Sequence, residues 1–411
     1  MSKILLVQAY AYSSFRAMPM GLIHVASELA VEHDVVVRDL CATPMNDSEF
    51  TALLEKENPG YVMIGGTSPS VPESFELARL AKEFNNGIIT VKGGPHEDNG
   101  GSEDTLIDEN IDIVVSGDGE AVAGLVRTIE NGNYYPENFR GDFDLSLLQL
   151  PNRMLLYPQN PGYYDFMGGR TAQTRTDRGC KFKCGFCVQG KLREYSDEYV
   201  VRDLEQISTE GFESLYFDNA LFTLNRERIM RLLPEVARFN FNDIGCITGA
   251  GINTDVELLT AMAEVGFSYI SMALESASTT MLEFIGKNWV ELKIVKEAIG
   301  NAKGAGMRTS VNVMFGNPYE LDEDVYATID AILDIKPDAI SPSIFTLYPG
   351  NRINPIDPNI YDKPINRNDA FKHFDEGYGG KVLISADRVE WIYEQLQERV
   401  VSQGIGLITE T

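Results

Sequence analysis

The stretch RTDRGCKFKCGFCVQGK, residues 175–191, carries three of the chain's five cysteines, Cys180, Cys184 and Cys187, within eight positions. The C-x3-C-x2-C spacing puts three thiols on one tight loop, as an iron-sulfur cluster requires. Zinc is the main competitor, yet a structural zinc site takes four protein ligands, usually as two pairs. Cys41 and Cys246 are isolated, and no histidine lies near the loop in sequence. Three thiolates on a four-iron cube leave one iron open, so the missing fourth thiol marks a binding position.

Downstream of the loop, apolar runs alternate with segments of helical period: ESLYFDN, IMRLLPEVARF, IGCITGAGIN, VELLTAMAEVG, YISMALES, VKEAIGNAKGAG, RTSVNVMFGNP, VYATIDAILDI and AISPSIFTLYPG. With an opening strand before the cysteines this gives about six strands. Upstream, residues 131–169 are rich in Asn, Pro, Tyr and Gly with little periodicity, which reads as a connection. Beyond 350 comes an irregular Pro- and Asn-rich stretch and then a helix expected over ADRVEWIYEQLQERV (386–400).

The first 130 residues alternate as well. KILLV, DVVVRDL, YVMIGGTS, IITVKGGP and IDIVVSGDGE read as strands and their turns, and PMGLIHVASELAVEH, EFTALLEKEN and SFELARLAKEFN as helices. Such alternation predicts a parallel sheet with helices on both faces and ligands at the carboxyl ends of the strands. Those ends carry the turns GGTSPS (65–70), KGGP (92–95) and SGDGE (116–120), none of them a full nucleotide-binding motif.

Composition bounds the function. A length of 411 residues predicts two or three domains, and 44% hydrophobic residues suffice for their cores. A formal charge of −26 disfavours nucleic acid and anionic membrane surfaces as partners. The start, MSKILLVQAY, has no signal-peptide pattern, and no apolar run reaches the roughly 18 residues of a membrane span. A cytoplasmic location is expected, where clustered thiols serve as metal ligands or catalysts.

The cysteine loop also fits C-x3-C-x-aromatic-C, with Phe186 in the aromatic place, and so resembles the signature of the radical S-adenosylmethionine (SAM) family. The resemblance implies a [4Fe-4S] cluster on Cys180, Cys184 and Cys187, SAM on the open iron, and a partial (β/α)6 TIM-type barrel over 170–350. It carries SAM contacts to Asp218 and Asn219 in YFDNALFTLN, to Glu275 and Ser276 in SMALESAS, and to Gly316 and Glu320 in VMFGNPYE. The family's G-G-E form is absent, and Ala277 replaces the glycine of an E-S-G-S turn. As alternatives, Asp218 caps the following helix and Glu275 holds a barrel salt bridge.

The order of turns in the first domain resembles the Rossmann-like, doubly wound cobalamin-binding domain that precedes the barrel in one class of radical SAM enzymes. That resemblance implies cobalamin contacts from Tyr10 and Tyr12, from Thr67, Ser68 and Ser70, from Gly93 and Gly94, and from Gly117, Gly119 and Glu120. The D-x-H-x-x-G sequence is missing after the first strand, so no histidine is expected under cobalt there. His96, after the paired glycines, reads equally as a surface-loop residue or a pocket residue. The implied layout is a cobalamin domain over 1–135, a linker over 136–169, the barrel, and an extension over 351–411 that closes or covers it.

Together the two domains imply a cobalamin-dependent radical SAM methyltransferase acting on an unreactive carbon or phosphorus centre of a small molecule or peptide. An electron donor such as flavodoxin or ferredoxin is implied as a partner. A radical rearrangement, cyclisation or oxidation is the alternative enzyme, and a cobalamin or iron-sulfur sensor the alternative outside catalysis. Protein supplied anaerobically with iron, sulfide and hydroxocobalamin is expected to hold about four iron and about one cobalt per chain by elemental analysis. Iron without cobalt would leave the first domain a scaffold.

Overall fold

In the computed structural model, which describes residues 2–11, 16–353, 381–382 and 385–408, the chain divides into two compact units that meet in sequence at Tyr164 and Asp165. The first is organised by β1 (Lys3–Gln8), in which Ile4, Leu5, Leu6 and Val7 are all fully buried. A strand so apolar on both faces belongs inside a parallel sheet covered on both sides.

β1 lies between β2 (Asp34–Asp39) and β3 (Tyr61–Gly65), followed outward by β4 (Ile89–Gly93), β5 (Ile113–Gly117) and β6 (Asn138–Gly141). All pairings are parallel. The order 2-1-3-4-5-6 reverses between β1 and β3, which places a ligand crevice at their carboxyl ends. Leu5 and Val7, with Val62 and Ile64, pack against Phe50 and Leu54 of α2 (Asp47–Glu57) and Leu77 and Ala81 of α3 (Val71–Phe84). α1 (Met20–Leu29) packs with α5 (Val122–Glu130).

α2 starts where a capping box dictates: Asn46 Oδ1 accepts from Glu49 N at 3.1 Å and Glu49 Oε2 accepts from Asn46 N at 2.9 Å. Between β4 and β5, where only turns are expected, the chain forms a π-type turn (Glu97–Gly101) and the short α4 (Ser102–Thr105). Gly100, at φ +98°, breaks the helical geometry between them.

The stretch expected as a linker, 136–169, departs from that reading. β6 extends the first sheet, and Leu148, Leu156, Tyr157 and Tyr164 are buried. Asn152 N donates to Ser27 Oγ at 2.8 Å, Gln149 N to Glu28 Oε1 at 2.7 Å, and Tyr164 OH to Asp39 at 2.9 Å. These apolar residues sit on successive 3-10 turns, which have no period of 2 or 3.6 for a sequence pattern to reveal.

The second unit is a seven-stranded parallel sheet. Its strands are β7 (Thr171–Thr174), β10 (Ser214–Phe217), β11 (Asp243–Gly249), β12 (Phe267–Glu275), β13 (Arg308–Phe315), β14 (Ala339–Ile344) and β17 (Gly406–Leu407), neighbours in that order. Between them run α6 (Asp197–Thr209), α7 (Arg226–Ala237), α8 (Val256–Glu264), α9 (Thr279–Phe284), α10 (Leu292–Gly304), α11 (Asp322–Ile335) and α12 (Ala386–Arg399). The hairpin β8 (Asp177–Arg178) and β9 (Arg193–Glu194) interrupts the cycle after β7, and β15 (Thr346–Leu347) pairs antiparallel with β16 (Lys381–Val382).

Six strands were expected, and the chain beyond 350 supplies the seventh. α12 docks on α11 through Arg399 to Asp330 at 2.7 Å and a T-shaped Tyr326–Trp391 contact at 5.7 Å, and β17 then pairs with β14. α6 is absent from the expected elements. Its start is marked by Ser196, whose hydroxyl accepts from Tyr199 N at 3.1 Å, followed by Asp197 and Glu198. No helix among the described residues is long and apolar enough to cross a membrane.

In the first unit, a Cβ on Gly94, which sits at φ +126°, would stand 2.4 Å from Gly66 O. Gly94→Ala is therefore expected to lower stability by about 1–3 kcal/mol, read as a lower urea midpoint at unchanged m-value.

Candidate functional site

The cysteine loop is an irregular segment held from outside. Its base is the β8–β9 ladder, continued by Cys180 N donating to Gly190 O at 3.0 Å. Gly179 turns the chain there at φ +76°, where a Cβ would lie 2.4 Å from Lys191 O. Within the loop Cys187 N donates to Cys184 O at 3.1 Å. At its tip Gly185 N donates to Ile285 O and Gly185 O accepts from Arg352 N, both at 2.7 Å. Phe182 stacks on Trp289 with centroids 4.6 Å apart.

Cys184 is buried, and Cys180 and Cys187 are half-buried. Burial pushes the Cys184 and Cys187 thiols up, the neighbouring thiols add to this, and Lys287 pulls Cys184 back down. The three sulfurs thus share one electrostatic neighbourhood. Among the described residues no three His, Cys, Asp or Glu side chains converge as on a single ion. A structural zinc site takes four protein ligands, and the loop offers three thiols.

The expected residues stand at the carboxyl ends of β10, β12 and β13. Asn219, after β10, donates to Thr176 Oγ1 at 2.8 Å and accepts from Thr176 N at 3.3 Å, while Asp218 pairs with Arg175. Asn225 caps α7, so Asp218 does not. Glu275 leaves β12 at φ +69° and is buried against Lys287, whose Nζ lies 3.0 Å from Glu275 Oε1 and from Ala273 O. The barrel salt bridge considered for Glu275 is therefore present.

Ser276 Oγ accepts from Ser278 N at 3.1 Å and lies 3.2 Å from Thr328 Oγ1. Gly316, at φ +72°, donates its N–H to Glu320 Oε2 at 2.6 Å, and Asn317 Nδ2 donates to Oε1 at 3.3 Å. Burial outweighs those bonds and raises the Glu320 carboxyl to about 7. Phe186 is half-buried on the loop.

Lys287, Trp289 and Arg175 were not singled out from sequence. The only available signal was the basic residue and tryptophan in IGKNW (285–289), soon after SMALESAS.

At the carboxyl edge of the first sheet, β3, β4 and β5 end in Gly65-Gly66, Gly93-Gly94 and Gly117. Gly94 and Gly117 have positive φ, and a Cβ on Gly117 would stand 2.3 Å from Gly141 O. This backbone-only edge suits a bulky ligand that must approach the main chain. Thr67 is exposed, whereas Ser70 is fully buried and its hydroxyl donates to Thr67 O at 2.8 Å, shaping the turn from beneath.

Ser68 Oγ lies 3.0 Å from His96 Nδ1, and His96 is buried, so the surface-loop reading of His96 does not hold. Gly119 is half-buried and Glu120 buried at the start of α5. Tyr10 is exposed, and Tyr12 lies outside the described residues.

Against known proteins, the model of the Radical SAM superfamily matches residues 175–332. An uncharacterized methyltransferase of Pyrococcus horikoshii is 30% identical over 359 residues, which is 82% of this chain and 77% of that protein. The chain belongs to the radical SAM superfamily. The family carries a [4Fe-4S] cluster and SAM, and the chain is a radical SAM enzyme.

The anaerobic magnesium-protoporphyrin IX monomethyl ester cyclase of Rubrivivax gelatinosus is 24% identical, over 82% of this chain and 67% of that one. The likeness to solved structures takes in both units. TsrM of Kitasatospora setae, a radical SAM methyltransferase solved with cobalamin and a [4Fe-4S] cluster bound, matches with a TM-score of 0.76 at 17% identity, covering 97% of this chain and 91% of TsrM.

Glu320 supplies a pH test. Its folded-state pKa of about 7 stands above the ordinary 4.5, so the stabilisation from its neutral form is full below about pH 4.5 and is lost as pH rises toward 7. Glu320→Gln is expected to gain of order 1–3 kcal/mol on the wild type between pH 4.5 and 8, in urea denaturation at both pH values.

Proposed function

We propose that this chain is a cobalamin-dependent radical SAM methyltransferase acting on a small molecule or peptide. The observation that carries the reading is the joining, in one chain, of a six-stranded parallel domain with a glycine-lined carboxyl edge to a barrel bearing the three-thiol loop. The fold shared with TsrM and the 30% identity to a methyltransferase support it.

Cys180, Cys184 and Cys187 hold the cluster. Phe186, Asp218, Asn219, Glu275, Ser276, Gly316 and Glu320 line the SAM side. Tyr10, Thr67, Ser68, Gly93, Gly94, Gly117, Gly119 and Glu120 face cobalamin, with Ser70 supporting the turn. When bound, the reduced cluster supplies the electron that cleaves SAM to methionine and a 5'-deoxyadenosyl radical, and cobalamin carries the methyl group.

The chain's own residues position and shield. Glu275 and Gly316 turn two adjacent strand ends through the left-handed region, so the turns after β12 and β13 present backbone as well as side chains toward the cluster side. Lys287 fixes the Glu275 carboxylate and places a buried positive charge beside Cys184. The Phe182–Trp289 stack packs the loop against the segment that follows α9.

A one-electron donor such as flavodoxin or ferredoxin completes the reading, with no nucleic acid or membrane involved. A second reading, radical cyclisation or oxidation, is favoured by the 24% identity to the cyclase over 82% of the chain.

Incubation of the reduced, cobalamin-loaded protein with SAM labelled in its methyl group and a small-molecule extract separates the readings. Label in a product together with 5'-deoxyadenosine is expected. Deoxyadenosine with an unlabelled, oxidised or cyclised product moves the assignment to the second reading. Cys184→Ala is expected to lose most of its iron and to reduce deoxyadenosine formation at least 100-fold, by elemental analysis and chromatography, an order-of-magnitude expectation for loss of a cluster ligand.

A further inference from the structure

The chain as a whole has 35 basic against 61 acidic residues, but residues 175–193 reverse that balance, with six cations, Arg175, Arg178, Lys181, Lys183, Lys191 and Arg193, against the single carboxylate of Asp177. The reversal coincides with the loop that carries the three thiols.

Asp177 is buried, so the one negative charge is withdrawn from the surface. Arg175 is spent on Asp218, and Arg178 donates to Tyr195 OH. Lys181, Lys183 and Lys191 are exposed, and none of the three has an ion pair among the described residues. The Lys181 ammonium lies over the Phe182 ring, 5.1 Å from its centroid, a contact that leaves its positive charge unneutralised.

Three uncompensated ammonium groups on the segment that holds the electron-accepting centre constitute a steering field of the opposite sign to the rest of the chain. We infer that Lys181, Lys183 and Lys191 form the docking surface for an acidic one-electron carrier protein of flavodoxin or ferredoxin type.

The inference rests on the proposed reading of the cysteine loop and assigns its redox partner a place on this chain. At this step the reduced carrier gives up one electron and the cluster accepts it; no bond forms or breaks and no proton is required. The chain as a whole is acidic, so a basic segment on it attracts an acidic carrier that its net charge repels.

The test is the second-order rate at which a reduced bacterial flavodoxin reduces the full-length, cluster-loaded protein, followed by stopped-flow absorbance from low to high salt. Photoreduced 5-deazaflavin serves as a small reductant with no docking surface. In wild type the flavodoxin rate is expected to fall steeply with salt. The K181E/K183E/K191E variant is expected to be at least 10-fold slower at low salt with a flattened salt dependence, and unchanged toward deazaflavin.

Equal flavodoxin rates in the two proteins, a wild-type rate indifferent to salt, or equal slowing with deazaflavin would each overturn the inference. If the charge-reversed chain does not fold, the lysine-to-glutamine triple variant and the wild-type salt series give the same decision. Iron content and visible absorption before reduction stand apart from these rates. A chain that takes up no cluster overturns the functional reading and the inference together, whereas a loaded cluster indifferent to the lysines overturns the inference alone.

Discussion

The three thiols stand on a segment with neither helix nor strand ladder, between β8 and β9, so no regular element holds them in place. The loop has to be fixed from its margins, and the rest of the second unit serves that requirement. Gly179 supplies the one backbone conformation that lets the chain enter beside Lys191. Ile285 and Arg352 grip the same glycine at the tip, and Trp289 closes over Phe182. The segment 285–289, which follows α9, is thus a wall for the loop as much as a connection to α10.

The same constraint orders the electrostatics. A loop carrying several anionic sulfurs needs positive charge nearby, and the structure supplies it at two depths. Lys287 is buried and tied to Glu275, so its charge is fixed in place. Lys181, Lys183 and Lys191 are exposed, and their field is screened by salt. One cation is buried and paired and the others face solvent, which divides local stabilisation from recognition at a distance.

Much of this was legible in the sequence, and the failures have physical causes. Parallel strands buried on both faces appear as plain apolar runs, so KILLV and YVMIGG could be placed without ambiguity. The thiol spacing was legible because ligand chemistry tolerates few alternatives. What escaped was structure without a period: the 3-10 turns through 145–164, β6, and the π-type turn after β4. α6 was passed over although Ser196, Asp197 and Glu198 mark its start, because its capping signal stands next to the irregular loop. Lys287 and Trp289 were missed for a different reason. Their importance lies in what they touch across the barrel, and a contact between positions 182 and 289 leaves no trace in either segment alone.

The seventh strand has a further consequence. β14 ends at Ile344, yet the strand that covers its outer edge begins at Gly406 and pairs with it at Ala339 and Ile340. During synthesis the barrel sheet therefore emerges with an uncovered parallel edge, one that stays available for mispairing until α12 has docked on α11 and brought β17 alongside. The first sheet has no such delay, since all six of its strands precede residue 142. The two units thus differ in when each becomes safe from aggregation as the chain is made, the first once β6 has emerged and the second only once β17 has.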